Sequence, residues 1–329
     1  MNRLLSGEPI ADGGLLVPAE LPVFTGEELK QLARKSFSDC VADILNRFYD
    51  SGLCGWDVEF CVGRHPVRLV NFGQKILIAE CWRNPEWKFS RFVQNMADRI
   101  RPGCTPGFWD ETVVRIAVLF GISSVLMAKG ELDEAHPMDV AVHIGSFSAP
   151  LSAWYARKMG LPIGNIICCC NENNSTWELI RQGQLRTDGI AKETLTPDGD
   201  ICIPKGLEQL IYECGGREEV WRFLLCCREG GIYEPCEQAM KNIRSSMYAA
   251  VVGDDRVLQT ISGFSGGYSY LLSPYTALIY AGVQDYRVSE KENRNCLIPA
   301  EKSPECDIGI VAAALHITES EAHALIKNM

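Results

Sequence analysis

The sequence offers few of the patterns that disclose a function directly. No two of its fifteen cysteines stand at CxxC spacing, and none of its five histidines (His65, His136, His143, His316, His323) lies at ligand spacing from a cysteine pair. A zinc site is therefore not expected, and no other metal either. Basic runs are absent too: 32 Lys plus Arg face 42 Asp plus Glu, giving a net charge of −10 and a pI near 5.1. That balance argues against a binder of nucleic-acid backbones. No uncharged apolar stretch reaches the roughly 18 residues a membrane helix needs, so no membrane partner is expected. Met1 to Gly14 carries Arg3 but no apolar run beyond Leu4 and Leu5, so it does not read as a secretory signal. There is neither an internal repeat nor a low-complexity tract.

The chain has 329 residues, of which 47% are hydrophobic and 22% charged, the composition of an ordered globular protein large enough to bury a substantial core. Its thiols are scattered singly or stacked as Cys168, Cys169, Cys170 and Cys226, Cys227. Adjacent cysteines do not readily make a disulfide framework, so they read as reduced, buried thiols in a cytoplasmic protein.

Along the chain, Asp12-Gly13-Gly14 is a turn before a short strand at Leu15-Leu16-Val17, ended by Pro18. Thr25-Gly26-Glu27-Glu28 has the form of a capping box, which starts a helix at residue 26. Ser38 is expected to cap a second helix running to Tyr49, ended by the stretch Ser51-Gly52 to Gly55. Residues 1–75 thus read as a small, mainly helical region, and 76–329 as an α/β domain. There, Lys75 to Cys81 suits a buried strand, Phe89 to Ile100 a helix, and 112–129 a helical pattern interrupted at Gly121.

The clearest supersecondary signal follows. Asp139 to Ile144 is a strand, Gly145-Ser146-Phe147-Ser148 a small-residue turn, Ala149 to Met159 a helix closed by Gly160, and Asn165 to Cys170 a second apolar strand. This is a βαβ unit of a parallel sheet. Such a turn aims backbone amides and the positive helix end at one point, which suits a phosphate or carboxylate; a plain tight β-to-α turn would have the same composition. Asn171 to Ser175 forms a polar knot beyond the second strand, where ligands bind in open parallel sheets. The acidic, amide-rich stretch 284–302 reads as a surface excursion.

Several of these pieces together resemble threonine synthase, a pyridoxal-phosphate (PLP) enzyme of the tryptophan-synthase-β-like, fold type II group. Asp12 to Pro18, with Phe24 to Leu32, is similar to that family's "DGGLYVP" segment and following helix. Val142 to Ser148, with Tyr155 to Pro162, resembles its "GNFG" phosphate loop and "AKKMGLP" helix end. Asn171-Glu172-Asn173 is similar to "TNEN", Thr194 to Pro204 to "TLSPSMDIQVP", and Ser273 to Ala277 to "DPHTA".

The departures from the family bear on chemistry. Its Schiff-base lysine sits in "GPTLAFKD"; aligning on Pro85 and Phe89 places Ser90 there, whereas a two-residue slip places Lys88 there. Residues 101–138 are too few for the family's small cofactor-clamping domain, and its "SGDTG" loop has no counterpart. Serine can neither anchor the cofactor nor move an α-proton.

The resemblance implies a truncated fold type II α/β domain with a parallel sheet. It also implies a small-molecule metabolite as partner, compatible with a homo-oligomer, in a lyase-like or transferase-like protein of amino-acid metabolism. No cofactor is expected, with PLP as the alternative. Ser90, Lys88 and His143 are the candidate catalytic groups, although His143 on an apolar strand equally suits a core histidine. Gly145, Ser146, Phe147 and Ser148 are candidates for anion binding, and Asn171, Asn173 and Thr276 for substrate binding. Repurposed enzyme, pseudoenzyme and ordinary threonine synthase using Lys88 all remain open on sequence grounds.

Overall fold

The computed structural model describes residues 17, 18, 20–63, 67–82, 89–327 and 329. The expected strand at Leu15 to Val17, apart from Val17, lies outside them, as do residues 83–88, including Lys88.

The first three helices follow from their caps. α1 (Gly26–Leu32) carries the full Thr25/Glu28 capping box. α2 (Phe37–Tyr49) starts two residues earlier than expected: Ser36 is its N-cap, accepting from the Asp39 amide, and Ser38 lies inside the helix, buried. Its end is set by Asp50, in the left-handed region at φ 41°. Gly55 opens a third helix, α3 (Gly55–Val62), whose Asp57 carboxylate accepts from the Cys54 amide.

A six-stranded sheet follows, ordered β1-β2-β8-β3-β4-β7. β1 (Arg68–Asn71) pairs antiparallel with β2 (Ile76–Glu80). Next in the chain come α4 (Phe89–Ile100), α5 (Phe108–Ala128), β3 (Met138–His143), α6 (Ser148–Lys158) and β4 (Ile163–Cys170). α7 (Ser175–Trp177) runs into a π-helical turn at Glu178–Gln182. β5 (Leu185–Arg186) and β6 (Ile232–Tyr233) form a separate antiparallel pair, with α8 (Leu207–Glu229) between them in the chain. The chain ends with α9 (Glu237–Arg244), β7 (Met247–Val251), α10 (Asp254–Tyr268), α11 (Pro274–Glu290), β8 (Cys296–Ala300), α12 (Ile308–Leu315) and α13 (Glu319–Lys327).

From β2 through β8, β3, β4 and β7 every pairing is parallel. The mixed α/β fold with a mainly parallel sheet and a helical N-terminal region is the one expected. The division at residue 75 falls between β1 and β2, which are hydrogen-bonded neighbours, and side chains of α1 to α3 share one apolar cluster with the sheet.

Strand alternation sends β4's cysteines both ways: Cys168 and Cys170 face the larger cluster, Cys169 the cluster beneath α10 and α11. A side chain at Gly282 of α11 would stand 2.6 Å from the Cys169 sulfur, so the thiols work as small core hydrophobes at a close helix-to-sheet approach.

Two expectations are corrected here. Gly121 does not interrupt its helix. α5 passes through it because Phe37 and Val41 of α2 press against that point, 2.8 and 2.9 Å from where a Cβ would stand. Stretch 284–302 is no surface excursion: it completes α11 and supplies β8, an interior strand of the sheet. A five-residue strand containing Pro299 and flanked by charged residues carries almost no strand signal.

Residues 101–138 hold α5 and its flanking turns, with no strand before Met138, so no second sheet is built there. α5 is long and apolar enough to cross a bilayer, yet 72% of its most apolar window is buried in this fold. Gly121→Leu would force α2 and α5 apart. A loss of roughly 1–3 kcal/mol in unfolding free energy is expected by urea denaturation.

Candidate functional site

In an open parallel sheet the crevice beyond the carboxyl ends of the strands is the place for ligands. Here the ladder between β8 and β3 pairs only Asp139 with Cys296 and Val140 with Leu297. It stops two residues short of Pro299, which has no N–H to extend it. The strands then part, and a cavity of about 1140 Å³ occupies the gap. Its lining comes from just beyond β2 (Trp82), β3 (Ser146) and β8 (Glu301, Lys302, Ser303). α4 contributes Phe89, Ser90 and Val93, and α5 contributes Phe108, Glu111 and Arg115.

The turn after β3 is held by a carboxylate from α5. Asp110 fixes the start of that helix, accepting from the Gly107 amide (2.7 Å), from Arg101 (2.5 Å) and from the Tyr49 hydroxyl (3.0 Å). The next residue, Glu111, then reaches the turn. Its Oε1 accepts from the Ser148 hydroxyl at 2.6 Å and the Ser146 hydroxyl at 3.2 Å, and the two hydroxyls contact each other. The same oxygen accepts from Arg115 Nη2 at 3.0 Å, one helical turn on, and Arg115 continues to Glu301. The guanidinium also lies over the Phe89 ring, 4.1 Å from its centroid.

Burial alone would raise the Glu111 carboxyl, but Arg115 and the two serines outweigh it and hold Glu111 below the ordinary glutamate value. Burial of Glu301 prevails over Arg115 and pushes that carboxyl up. The Phe147 amide donates to the Lys205 carbonyl at 2.9 Å. Gly145 lies close to the loop: a Cβ there would stand 3.2 Å from the Asp198 carbonyl oxygen. Ser146 and Ser148 thus both donate to a carboxylate of the chain itself, Glu111.

The other candidates sit under or around the loop Thr194 to Asp200. The Asn171 amide donates to the Thr194 hydroxyl (2.8 Å), the Thr196 carbonyl (3.2 Å) and Asp200 Oδ1 (2.8 Å), at a side chain 1% exposed. The Asn173 amide donates to Asn171 Oδ1, the Lys192 carbonyl and Asp200. Both asparagines staple this loop to the end of β4. Their side-chain amides are engaged by protein groups.

His143 ends β3, edge-on to Tyr275 at 5.0 Å. Its Nε2 has no hydrogen-bond partner, and a Cβ at Gly199 would stand 2.7 Å from it, so the loop covers the ring. Burial lowers its pKa to about 4, leaving a neutral imidazole poorly matched to base chemistry near pH 7. It is a covered histidine outside the cavity lining.

Thr276 is the third residue of α11. Its amide donates to the Ser273 N-cap and its hydroxyl contacts the Ser273 hydroxyl at 3.0 Å, so both serve the cap. Ser90 is the second residue of α4, and it is exposed on the cavity wall. Lys88 lies outside the described residues.

The residues missed by sequence reasoning are Glu111, Arg115, Glu301 and Lys302. An acid and a base four apart in an otherwise apolar helix were the available signal for the first two. Lys302 pairs with Asp198 at 2.5 Å and lies 3.8 Å from the Tyr275 ring centroid, tying the loop's outer edge to the end of β8. Asp307 Oδ2 is buried with no hydrogen-bond partner, and burial pushes that carboxyl up. Among the described residues, no group of three or more His, Cys, Asp or Glu could hold a metal ion.

A phosphate-bearing cofactor at this turn would need free donors. Ser146 and Ser148 are committed to an ionised carboxylate, and Ser273 and Thr276 to each other. In this arrangement the four hydroxyls are not free to receive the phosphate of PLP.

The molecule is thus an α/β protein of the fold type II class, with a cavity at the strand ends lined by both charged and apolar side chains. The threonine synthase resemblance holds in every comparison. The family model "Threonine synthase N terminus" matches residues 4–63. Human threonine synthase-like 1 is 28% identical over 170 residues, 50% of this chain and 22% of that protein. Human threonine synthase-like 2 is 27% identical over 217 residues, 63% of this chain and 43% of that protein. The matched segments therefore span about a fifth to two-fifths of these curated relatives.

Two solved structures share the fold. PLP-bound threonine synthase from Brucella melitensis superposes with a TM-score of 0.79 at 19% identity, covering 99% of this chain and 91% of that one. Yeast threonine synthase does so with a TM-score of 0.78 at 15% identity and the same coverage.

Two measurements check the site. His143 stays neutral in the folded protein down to about pH 4 but protonates near its ordinary value of 6.5 when unfolded. Stability should therefore fall as pH drops through that window, by up to roughly 3 kcal/mol, and His143→Gln should flatten the dependence in denaturant melts. Asn171→Ala should cost about 1–3 kcal/mol and speed proteolytic cleavage within 194–200, because Thr194 and Asp200 lose a buried partner.

Proposed function

We propose that this threonine-synthase-like chain binds a small amino-acid-derived metabolite in the cavity beyond β2, β8 and β3, without a lysine-bound PLP. One observation supports the reading: a cavity lies beyond the strand ends, and Ser90, which the alignment on Pro85 and Phe89 matches to the anchoring lysine, is on its wall. A zwitterionic ligand suits the lining. The Asp307 carboxylate has a buried oxygen without a donor, and Lys205 stands at the rim with an exposed side chain. Any reaction catalysed here would be of the lyase or transferase type and would proceed without a Schiff base to Ser90.

A second reading, a ligand-sensing pseudoenzyme, is favoured by a different observation. His143, Asn171 and Asn173, the polar groups at the ends of β3 and β4, all serve the covering loop. Fifteen free thiols, with Cys168, Cys169 and Cys170 fully buried, fit a reducing, cytoplasmic setting for either reading.

The test is incubation with PLP, borohydride reduction and peptide mapping, alongside calorimetry with homoserine and threonine. No pyridoxyl-lysine and saturable heat with an amino acid are expected. An adduct on Lys88 would replace this reading with that of a lysine-anchored PLP enzyme, and an absence of heat would favour the pseudoenzyme.

A further inference from the structure

We propose that Glu111 is a tethered anion that closes the turn Gly145 to Ser148 against phosphate and so makes the cavity select unphosphorylated ligands. The inference deepens the metabolite-binding reading and rests on it only for the identity of the ligand. The turn has the makings of a phosphate site: a strand end, a glycine, two serine hydroxyls and the first turn of the eleven-residue α6. Every side-chain donor of that set already serves Glu111 Oε1, with Ser148 at 2.6 Å and Ser146 at 3.2 Å.

Glu111 is not a loose surface group that a ligand could push aside. Asp110 fixes its helix start through Gly107, Arg101 and Tyr49. Arg115 grips the same oxygen through Nε at 3.3 Å and Nη2 at 3.0 Å, and is itself held by Glu301 and the Phe89 ring. A phosphate arriving at the turn would meet a fixed like charge and no free hydroxyl. Removing only the Glu111 carboxylate would take the like charge away from the turn. Two serine hydroxyls and the Arg115 guanidinium would then converge on open space, the usual makings of an anion site. One side chain therefore decides whether the cavity accepts phosphate monoesters.

The experiment is calorimetry at neutral pH with inorganic phosphate and with pyridoxal 5′-phosphate, on the full chain. Wild type should show no saturable binding in the millimolar range. Glu111→Ala and Glu111→Gln should each bind phosphate about tenfold tighter or better, and Ser148→Ala added to Glu111→Ala should take that gain back. Wild type binding phosphate as tightly as the variants, or a gain that survives loss of Ser148, would overturn the proposal. Should neither Glu111 variant fold, wild type still decides: saturable phosphate binding that moves the Ser146 and Ser148 amide resonances overturns it, and none supports it. A wild type that binds no amino acid, with a Glu111→Ala variant that gains phosphate, would remove the metabolite reading and leave the role of Glu111 standing.

Discussion

The Glu111 carboxylate joins three segments that the chain brings together from far apart: the first turn of α5, the turn after β3 and, through Arg115, the end of β8. In a partly buried site, a carboxylate remains ionised only where donors and an opposite charge replace the water it loses. Two serines and a guanidinium do so here, and they also set the cavity's wall. The arrangement is present at neutral pH. Because the folded carboxyl is held below the ordinary value, the stability it contributes is lost only as pH falls through that lowered value.

A second constraint shapes the opposite wall. Pro299 ends the partnership of β8 with β3, so Glu301 and Lys302 leave the sheet beside the cavity. Lys302 then ties Asp198 at the margin of the loop that Asn171 anchors from beneath. The polar groups nearest β3 and β4 are spent holding that loop, while those nearest β2 and β8 border open space. The open space is thereby bordered by α4, α5 and the end of β8.

Local signals were legible where a short motif dictates its own geometry. The capping box at Thr25, the strand-turn-helix-strand from Met138 to Cys170 and the helix from Phe89 all stand where residue pattern put them. The turn of Ser146 and Ser148 was legible, but the carboxylate to which they donate comes from a residue 35 and 37 positions away, a distance at which no spacing rule operates. The strand at Cys296–Ala300 was hidden by its length, its proline and its charged flanks, and only pairing with β2 and β3 makes it a strand. Asn171 and Asn173 were recognisable as a strand-end knot. Whether such a knot faces a ligand or a loop depends on the path of residues 194–200, which is a tertiary fact.

The state of the Glu111 carboxyl tests this account most directly. A carbon-detected NMR titration that resolves Glu111 in wild type and in Ser148→Ala would follow its protonation. The account predicts a midpoint below the ordinary 4.5 in wild type, moving upward when the Ser148 hydroxyl is removed. A wild-type midpoint at or above 4.5, unmoved by that substitution, would contradict it.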